Sequence, residues 1–157
     1  MIEVHHRDPA HGPAWLKHML EREIPLARHL AVEVETADDA MVRLCAPLAP
    51  NRNHRGTAFG GSLFSLAVLT GWAWTTRYLA IHHFAADALI QESSIRYLAP
   101  ARGPLEAVLE SPATTLVDKF RRMLERAGRG RIRLGVEVHV ARTAVARFEG
   151  LFVATLR

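Results

Sequence analysis

The chain has 157 residues, of which 49% are apolar and 23% charged, with a net charge of +4. That is the length of one domain, with enough apolar mass to bury a core without disulfide or metal staples and too few charges for global disorder. One cysteine, Cys45, excludes an internal disulfide framework and suits a reducing cytosol, and the first residues lack the basic, apolar and small regions of an export signal, so a cytoplasmic protein is expected.

From Pro13 to Arg28 the spacing is helical: Trp15, Leu16, Met19, Leu20 and Ile24 recur on one face, with Lys17, Glu21 and Arg22 between them, and Pro25 weakens the last turn. Leu30, Val32 and Val34 then alternate with Ala31, Glu33 and Glu35 as a half-buried strand. Across an Ala37-Asp38-Asp39 turn, Met41 to Pro47 supplies the hairpin partner. Cys45, between Leu44 and Ala46, reads as a strand residue rather than a nucleophile. A polar loop from Ala49 to Phe59 leads into an apolar helix from Gly61 to His82. Leu63, Phe64, Leu66, Val68, Leu69, Trp72 and Trp74 make that helix hydrophobic on nearly every side, so other structure must wrap it. The run from Ala58 to Ile81 approaches the roughly 20 apolar residues a membrane span requires. Gly60, Gly61, Ser62, Ser65, Thr70, Thr75, Thr76 and Arg77 interrupt it, and a buried helix is expected, not a span.

The second half is rich in strands. Ala88 to Ala99 is a long strand stopped by Pro100, Arg102-Gly103-Pro104 a turn, and Leu105 to Glu110 a strand. Thr114 to Arg126 is a short helix, and Gly128-Arg129-Gly130 breaks the chain. Ile132, Leu134, Val136, Val138 and Val140 alternate without a miss against Arg133, Gly135, Glu137 and His139, which puts one face on a core and the other towards solvent or a partner. Arg142-Thr143 turns the chain into a last strand, Ala144 to Leu156. The order predicts an α+β fold, an antiparallel sheet wrapped around one buried helix, as a single domain over residues 1–157 with a helical segment (1–29) and the sheet plus central helix (30–157).

The chemistry concentrates where the polar loop meets the buried helix, Asn51-Arg52-Asn53-His54-Arg55-Gly56-Thr57-Ala58-Phe59-Gly60-Gly61-Ser62. Glycines there let a ligand approach the backbone, and the N–H groups of a first helical turn point outward with a dipole that favours negative charge. A thioester carbonyl placed on Gly60 and Gly61 would have its oxyanion stabilised, each such donor being worth about 3 kcal/mol.

The stretch Asn53-x-x-Gly56-x-x-Phe59-Gly60-Gly61 resembles the N-x-x-G-x-x-H-G-G motif of hot-dog acyl-CoA thioesterases, and Ile95-Arg96-Tyr97-Leu98-Ala99-Pro100-Ala101-Arg102-Gly103 resembles their strand-to-turn segment. Pro47-Leu48-Ala49-Pro50-Asn51, Thr57-Ala58-Phe59-Gly60-Gly61-Ser62-Leu63 and Gly71-Trp72 are most similar to the YiiD C-terminal-domain thioesterase family. The resemblance runs from Leu30 to the C-terminus. It implies a hot-dog fold, a homodimer, possible assembly as a dimer of dimers, acyl sites at the subunit interface, and acyl-CoA or acyl-ACP (acyl carrier protein) as partner. Two positions depart from the general hot-dog motif: Phe59 replaces its histidine, and Val68 stands where a carboxylate two helical turns on would act as base or nucleophile.

A base must therefore come from elsewhere. Glu92, among Leu89, Ile90 and Ile95, is a candidate if its apolar neighbours bury it and raise its pKa; the alternative is a solvent-facing strand residue. Ser93 and Ser94 point to opposite faces, so at most one joins Glu92. Asn53 is a candidate to hold water or carbonyl, or else bonds its own loop; His54 is a candidate acid or base, or else an exposed loop residue. Thr57 is expected to cap the helix or to touch the thioester. The candidate site comprises Asn53, Glu92 and Gly61 as catalytic residues, with Asn51, His54, Thr57, Phe59, Gly60 and Ser93 contacting substrate. A dehydratase using His54 with Glu92, and an acyl-binding module without turnover, remain as alternatives.

Lys119, Arg121, Arg122, Arg126, Arg129, Arg131 and Arg133 hold most of the excess charge, as a solvated face or as an attractor for coenzyme A phosphates or an acidic carrier protein. Only Phe120 interleaves them and no recognition motif accompanies them, so no nucleic-acid partner is expected. His5-His6 sits near the start of the chain, and His82-His83 with Asp87 lacks a second ligand pair at workable spacing, so neither metal nor cofactor is expected.

Overall fold

A computed structural model of the protein describes residues 9–157; His5-His6 lies outside them. In chain order the main elements are α1 (Pro13–Glu23), α2 (Leu26–His29), β1 (Glu33–Ala37), β2 (Met41–Ala46), α3 (Gly60–Ile81), β3 (Ala86–Tyr97), β4 (Leu105–Glu110), α4 (Thr114–Ala127), β5 (Arg129–Val140) and β6 (Thr143–Leu156). The six strands form one antiparallel sheet in the order β1-β2-β4-β5-β6-β3. Helix α3 runs along its inner face. This is the hot-dog arrangement, and it gives the all-round apolar helix the wrapping it needs.

Strand β3 runs Ala86–Tyr97, two residues earlier at each end than expected, α3 and β2 differ by a residue, and three larger differences have a local reason. Pro25 splits the first helix in two, and α2 closes in a Schellman motif: Val32 N–H donates to Ala27 O and Ala31 N–H to Arg28 O, with Ala31 left-handed at φ 57°. The alternation from Leu30 to Val32 is therefore a helix stop, and β1 begins only at Glu33. After α4, Gly128 alone makes the break, at φ 66°. Arg129 and Gly130 already belong to β5, where a Cβ on Gly130 would meet the Phe120 ring at 2.9 Å. The β5–β6 turn falls on Ala141 and Arg142, both left-handed, one residue earlier than expected.

The core lies between α3 and the sheet. Leu66, Ala67 and Ala73 are fully buried, as are Leu134, Phe148 and Phe152 on β5 and β6. Gly71 permits the closest approach: a Cβ there would lie 2.3 Å from the Phe152 ring. Each fully buried large side chain contributes about 1.5–3 kcal/mol. One stripe of α3 escapes this cover. Gly61, Ser65, Val68, Trp72, Thr76 and Ala80 follow one another at helical spacing and all are only half-buried. Beside that stripe runs β3, an edge strand of 12 residues in which only Ala88 is buried and Leu89 is 71% exposed. No described helix is long and apolar enough to cross a membrane.

Candidate active site at the amino end of the central helix

Phe59, extended at φ −65° and ψ 135°, is the N-cap of α3, and no side chain caps the helix. Ser62 and Leu63 donate their N–H groups to Phe59 O. The N–H groups of Gly60 and Gly61 have no acceptor among the described residues. They are the free donors at the positive end of a 22-residue helix. Two rings lie close over these glycines: a Cβ on Gly60 would sit 3.3 Å from Tyr97, and one on Gly61 2.5 Å from Phe59, so a side chain at either position needs the ring to give. A groove of about 410 Å³ opens beside them, walled by Thr57, Ala58, Leu63 and the segment Tyr97–Ala101.

Backbone hydrogen bonds pin the loop that carries the glycines. Phe59 N–H donates to Asn51 O at 2.7 Å, Ala58 N–H to Ala101 O at 2.8 Å, and Asn53 N–H to Thr57 O at 2.7 Å. Asn53 spends its side chain on the same loop: Oδ1 accepts from the N–H groups of Arg55 and Thr57, and Nδ2 donates to Thr57 Oγ1 at 2.8 Å. Thr57 therefore does not cap α3, contrary to expectation; its hydroxyl holds Asn53. Asn51 is 1% exposed and donates to Leu30 O and Pro47 O, so it staples the loop to α2 from below and does not line the groove, as a substrate contact would. His54 stands exposed at the tip of the loop, and Phe59 is 58% exposed over the glycines.

Glu92 is the clearest correction. Its side chain is 59% exposed and pairs with Arg133 at 2.7 Å. Arg133 belongs to the solvent face of β5, between the buried Ile132 and Leu134, so Glu92 lies on the outer face of the sheet, away from α3. A β-bulge between Ile90 and Glu92 causes this: unbroken alternation would set Glu92 on the same side as Ile90, and the extra residue, Gln91, reverses it. Ser93, opposite the buried Gly150, faces inward with Ile95 and Tyr97. Tyr97 is the residue that sequence reasoning missed: its hydroxyl donates to Gly60 O at 2.9 Å across 37 positions of chain. Its place in the resembling Ile95–Gly103 segment was the one available signal.

The basic stretch does not form one patch. Arg121 pairs with Glu125 on α4, Arg133 with Glu92 on the outer sheet. Helix α4 packs through Phe120 on Tyr78, near the carboxyl end of α3, and Tyr78 lies about 27 Å from Gly60 by helical rise. Cys45 is held as a thiol, its pKa pushed up to about 12 by burial and then by Glu35. Among the described residues, no three His, Cys, Asp or Glu side chains converge as metal ligands.

A family model described as "Putative thioesterase", the C-terminal domain of YiiD, matches residues 14–156. The chain belongs to this family. Solved structures agree with the YiiD-type fold. A protein of unknown function from Chlorobaculum tepidum TLS shares 25% identity over 94% of this chain and 99% of its own, with a TM-score of 0.87. A "putative thioesterase" from Shewanella oneidensis shares 27% over 91% of this chain and 96% of its own, with a TM-score of 0.82. A "probable thioesterase" from Pseudomonas aeruginosa, 21% identical over 92% of this chain and 95% of its own, matches in fold with a TM-score of 0.79. In this member of the YiiD family, Val68 lies in the wall of a cavity beside α1 and the start of β3.

Proposed function

We propose that the protein hydrolyses fatty-acyl thioesters of coenzyme A or acyl carrier protein at the amino end of α3. The observation that carries this reading is the pair of N–H groups on Gly60 and Gly61 with no acceptor among the described residues, next to a groove under Tyr97 that Gly60 lines. The substrate carbonyl accepts from these donors. Water attacks the carbonyl carbon, and the charge that develops on oxygen is held by the donors and the helix dipole. The intermediate then collapses, the carbon–sulfur bond breaks, and the thiolate takes up the proton lost by the water. His54 is the sole imidazole or carboxylate between Ala49 and Phe59 and serves as the carrier of that proton. Asn53 shapes the loop on which His54 stands, and Ser93 lies on the same face of β3 as Tyr97.

The same proposal includes a cytoplasmic homodimer joined along the β3 edges, with a dimer of dimers as its larger form. A 12-residue edge with exposed Leu89 is a surface that a lone subunit leaves unpaired. Light scattering of wild type and of a Leu89→Lys variant tests this: a dimer that the variant weakens supports it, and a wild-type monomer overturns it.

Hydrolysis is tested by thiol release from acyl-CoA and acyl-ACP, with turnover above buffer as the expected result. Val68 and the outward-facing Glu92 favour a second reading, an acyl-binding module without turnover. Tight acyl-CoA binding with no thiol release would select it.

A further inference from the structure

The two N–H donors at the amino end of α3 belong to two different peptide groups, and those groups are bonded differently. The Gly60 N–H shares its peptide with Phe59 O, which accepts from the Ser62 and Leu63 N–H groups at 2.9 and 3.1 Å, both within α3. The Gly61 N–H shares its peptide with Gly60 O, and that oxygen accepts from outside the helix, from the Tyr97 hydroxyl at 2.9 Å. Backbone bonds hold Tyr97 in reach. It ends β3, paired with Ala146 on β6. Just beyond it, Leu98 N–H donates to Val145 O at 2.8 Å, and Ala101 O accepts from Ala58 N–H at 2.8 Å, which ties the segment to the sheet and to the glycine loop. The phenol end of the ring lies 3.3 Å from where a Cβ on Gly60 would be, a seat that the missing side chain leaves open. Burial does not explain the placement: Tyr97 is 52% exposed, and water would satisfy its hydroxyl nearly as well.

We propose that Tyr97 is a positioning residue that strengthens the Gly61 N–H as an oxyanion donor, acting through the Gly60–Gly61 peptide. The task of that donor rests on the thioester reading; its polarisation does not. A peptide is a resonance hybrid, so a proton held against its oxygen draws density from nitrogen and leaves the N–H more positive. Linked hydrogen bonds strengthen one another by roughly 10–30% each. The single proton of the hydroxyl is committed to Gly60 O, so Tyr97 acts through the backbone and not by donating to the substrate. The same bond fixes the plane of the peptide, and with it the direction of the donor, before a ligand arrives. One oxyanion donor is worth about 100- to 1,000-fold in kcat. Strengthening it by roughly 10–30% therefore raises kcat about two- to eightfold. The gain falls on kcat and not on KM, because the charge on oxygen develops only in the transition state.

The test compares wild type, Tyr97→Phe and the protein with 3-fluorotyrosine, a stronger hydroxyl donor, at position 97 alone. Phe keeps the ring and removes the proton. Each protein is labelled with nitrogen-15 glycine, and its amide shifts are read without ligand at about pH 6, well below phenol ionisation. Then kcat and KM are measured with decanoyl-CoA. The Gly61 amide nitrogen should move upfield in Tyr97→Phe and downfield with fluorotyrosine, while that of Gly60 moves less in both. In Tyr97→Phe, kcat should fall about two- to eightfold with KM within about twofold of wild type, and fluorotyrosine should raise kcat. The ordered amide shifts without any thiol release would support the polarisation while overturning hydrolysis. Thiol release with an unmoved Gly61 amide would overturn the role of Tyr97 alone. So would a Tyr97→Phe loss that lies in KM, since the phenol would then be a substrate contact.

Discussion

The two ends of α3 are built in opposite ways. At the amino end there are two glycines, with two exposed rings resting over them and two N–H groups that find no acceptor among the described residues. At the carboxyl end aromatic rings pack against one another and against α4. Trp74 stacks on Tyr78 at 5.4 Å, and Tyr78 meets His82 at 4.3 Å and Phe120 at 5.6 Å. Burial there, reinforced by Arg121, lowers the pKa of His82 and favours its neutral form. Arg77, nearly buried, ties the same end to the chain by donating to His11 O at 2.9 Å and Asp38 O at 3.0 Å. One end anchors the helix and the other presents it. Because the anchor needs nothing from the first turn, the dipole and the free donors are left for a ligand.

Substitutions at each end should separate stability from activity. Phe120→Ala empties a fully buried site in the anchor and should cost about 3–5 kcal/mol of stability by denaturant titration, while kcat/KM stays near wild type wherever the fold is intact. Gly60→Pro should do the reverse. Proline is favoured at the first helical position, and Phe59 already has the extended backbone that a following proline demands. The helix should survive with Tm little changed, and loss of the donor should lower kcat about 100-fold or more. Gly60→Ala keeps the N–H and should retain most of the rate, which separates the donor from the added bulk beside Tyr97. At mid-helix, Gly71→Ala drives a methyl into the Phe152 ring and should cost about 1–3 kcal/mol, seen as a lower Tm. Glu92→Gln breaks an exposed ion pair, so its stability change should stay below about 1 kcal/mol and thiol release should be unaffected.

These contrasts also mark what the sequence could reveal. The buried helix and β5 were legible because their patterns are long: α3 is apolar on nearly every side and β5 alternates from Ile132 to Val140. The junction at Gly60 and Gly61 was legible because glycine pairs before an apolar helix have few other uses. The sides of shorter features were not. Gln91 is an ordinary strand residue, and nothing local shows that it is the bulged one, yet it turns Glu92 to solvent. Asn53 and Thr57 are both plausible ligand contacts until they are seen bonded to each other. Tyr97 reaches Gly60 only because β3 returns alongside α3, which is a fact of topology rather than of spacing.

The central claim is that the bare amino end of α3 receives the thioester carbonyl. A crystal structure with an acyl-CoA analogue in which a methylene group replaces sulfur, and the carbonyl is kept, tests it most directly. The account predicts the carbonyl oxygen about 2.7–3.1 Å from the N–H nitrogens of Gly60 and Gly61. A carbonyl bound elsewhere, with Phe59 or Tyr97 closed over those glycines, would contradict it.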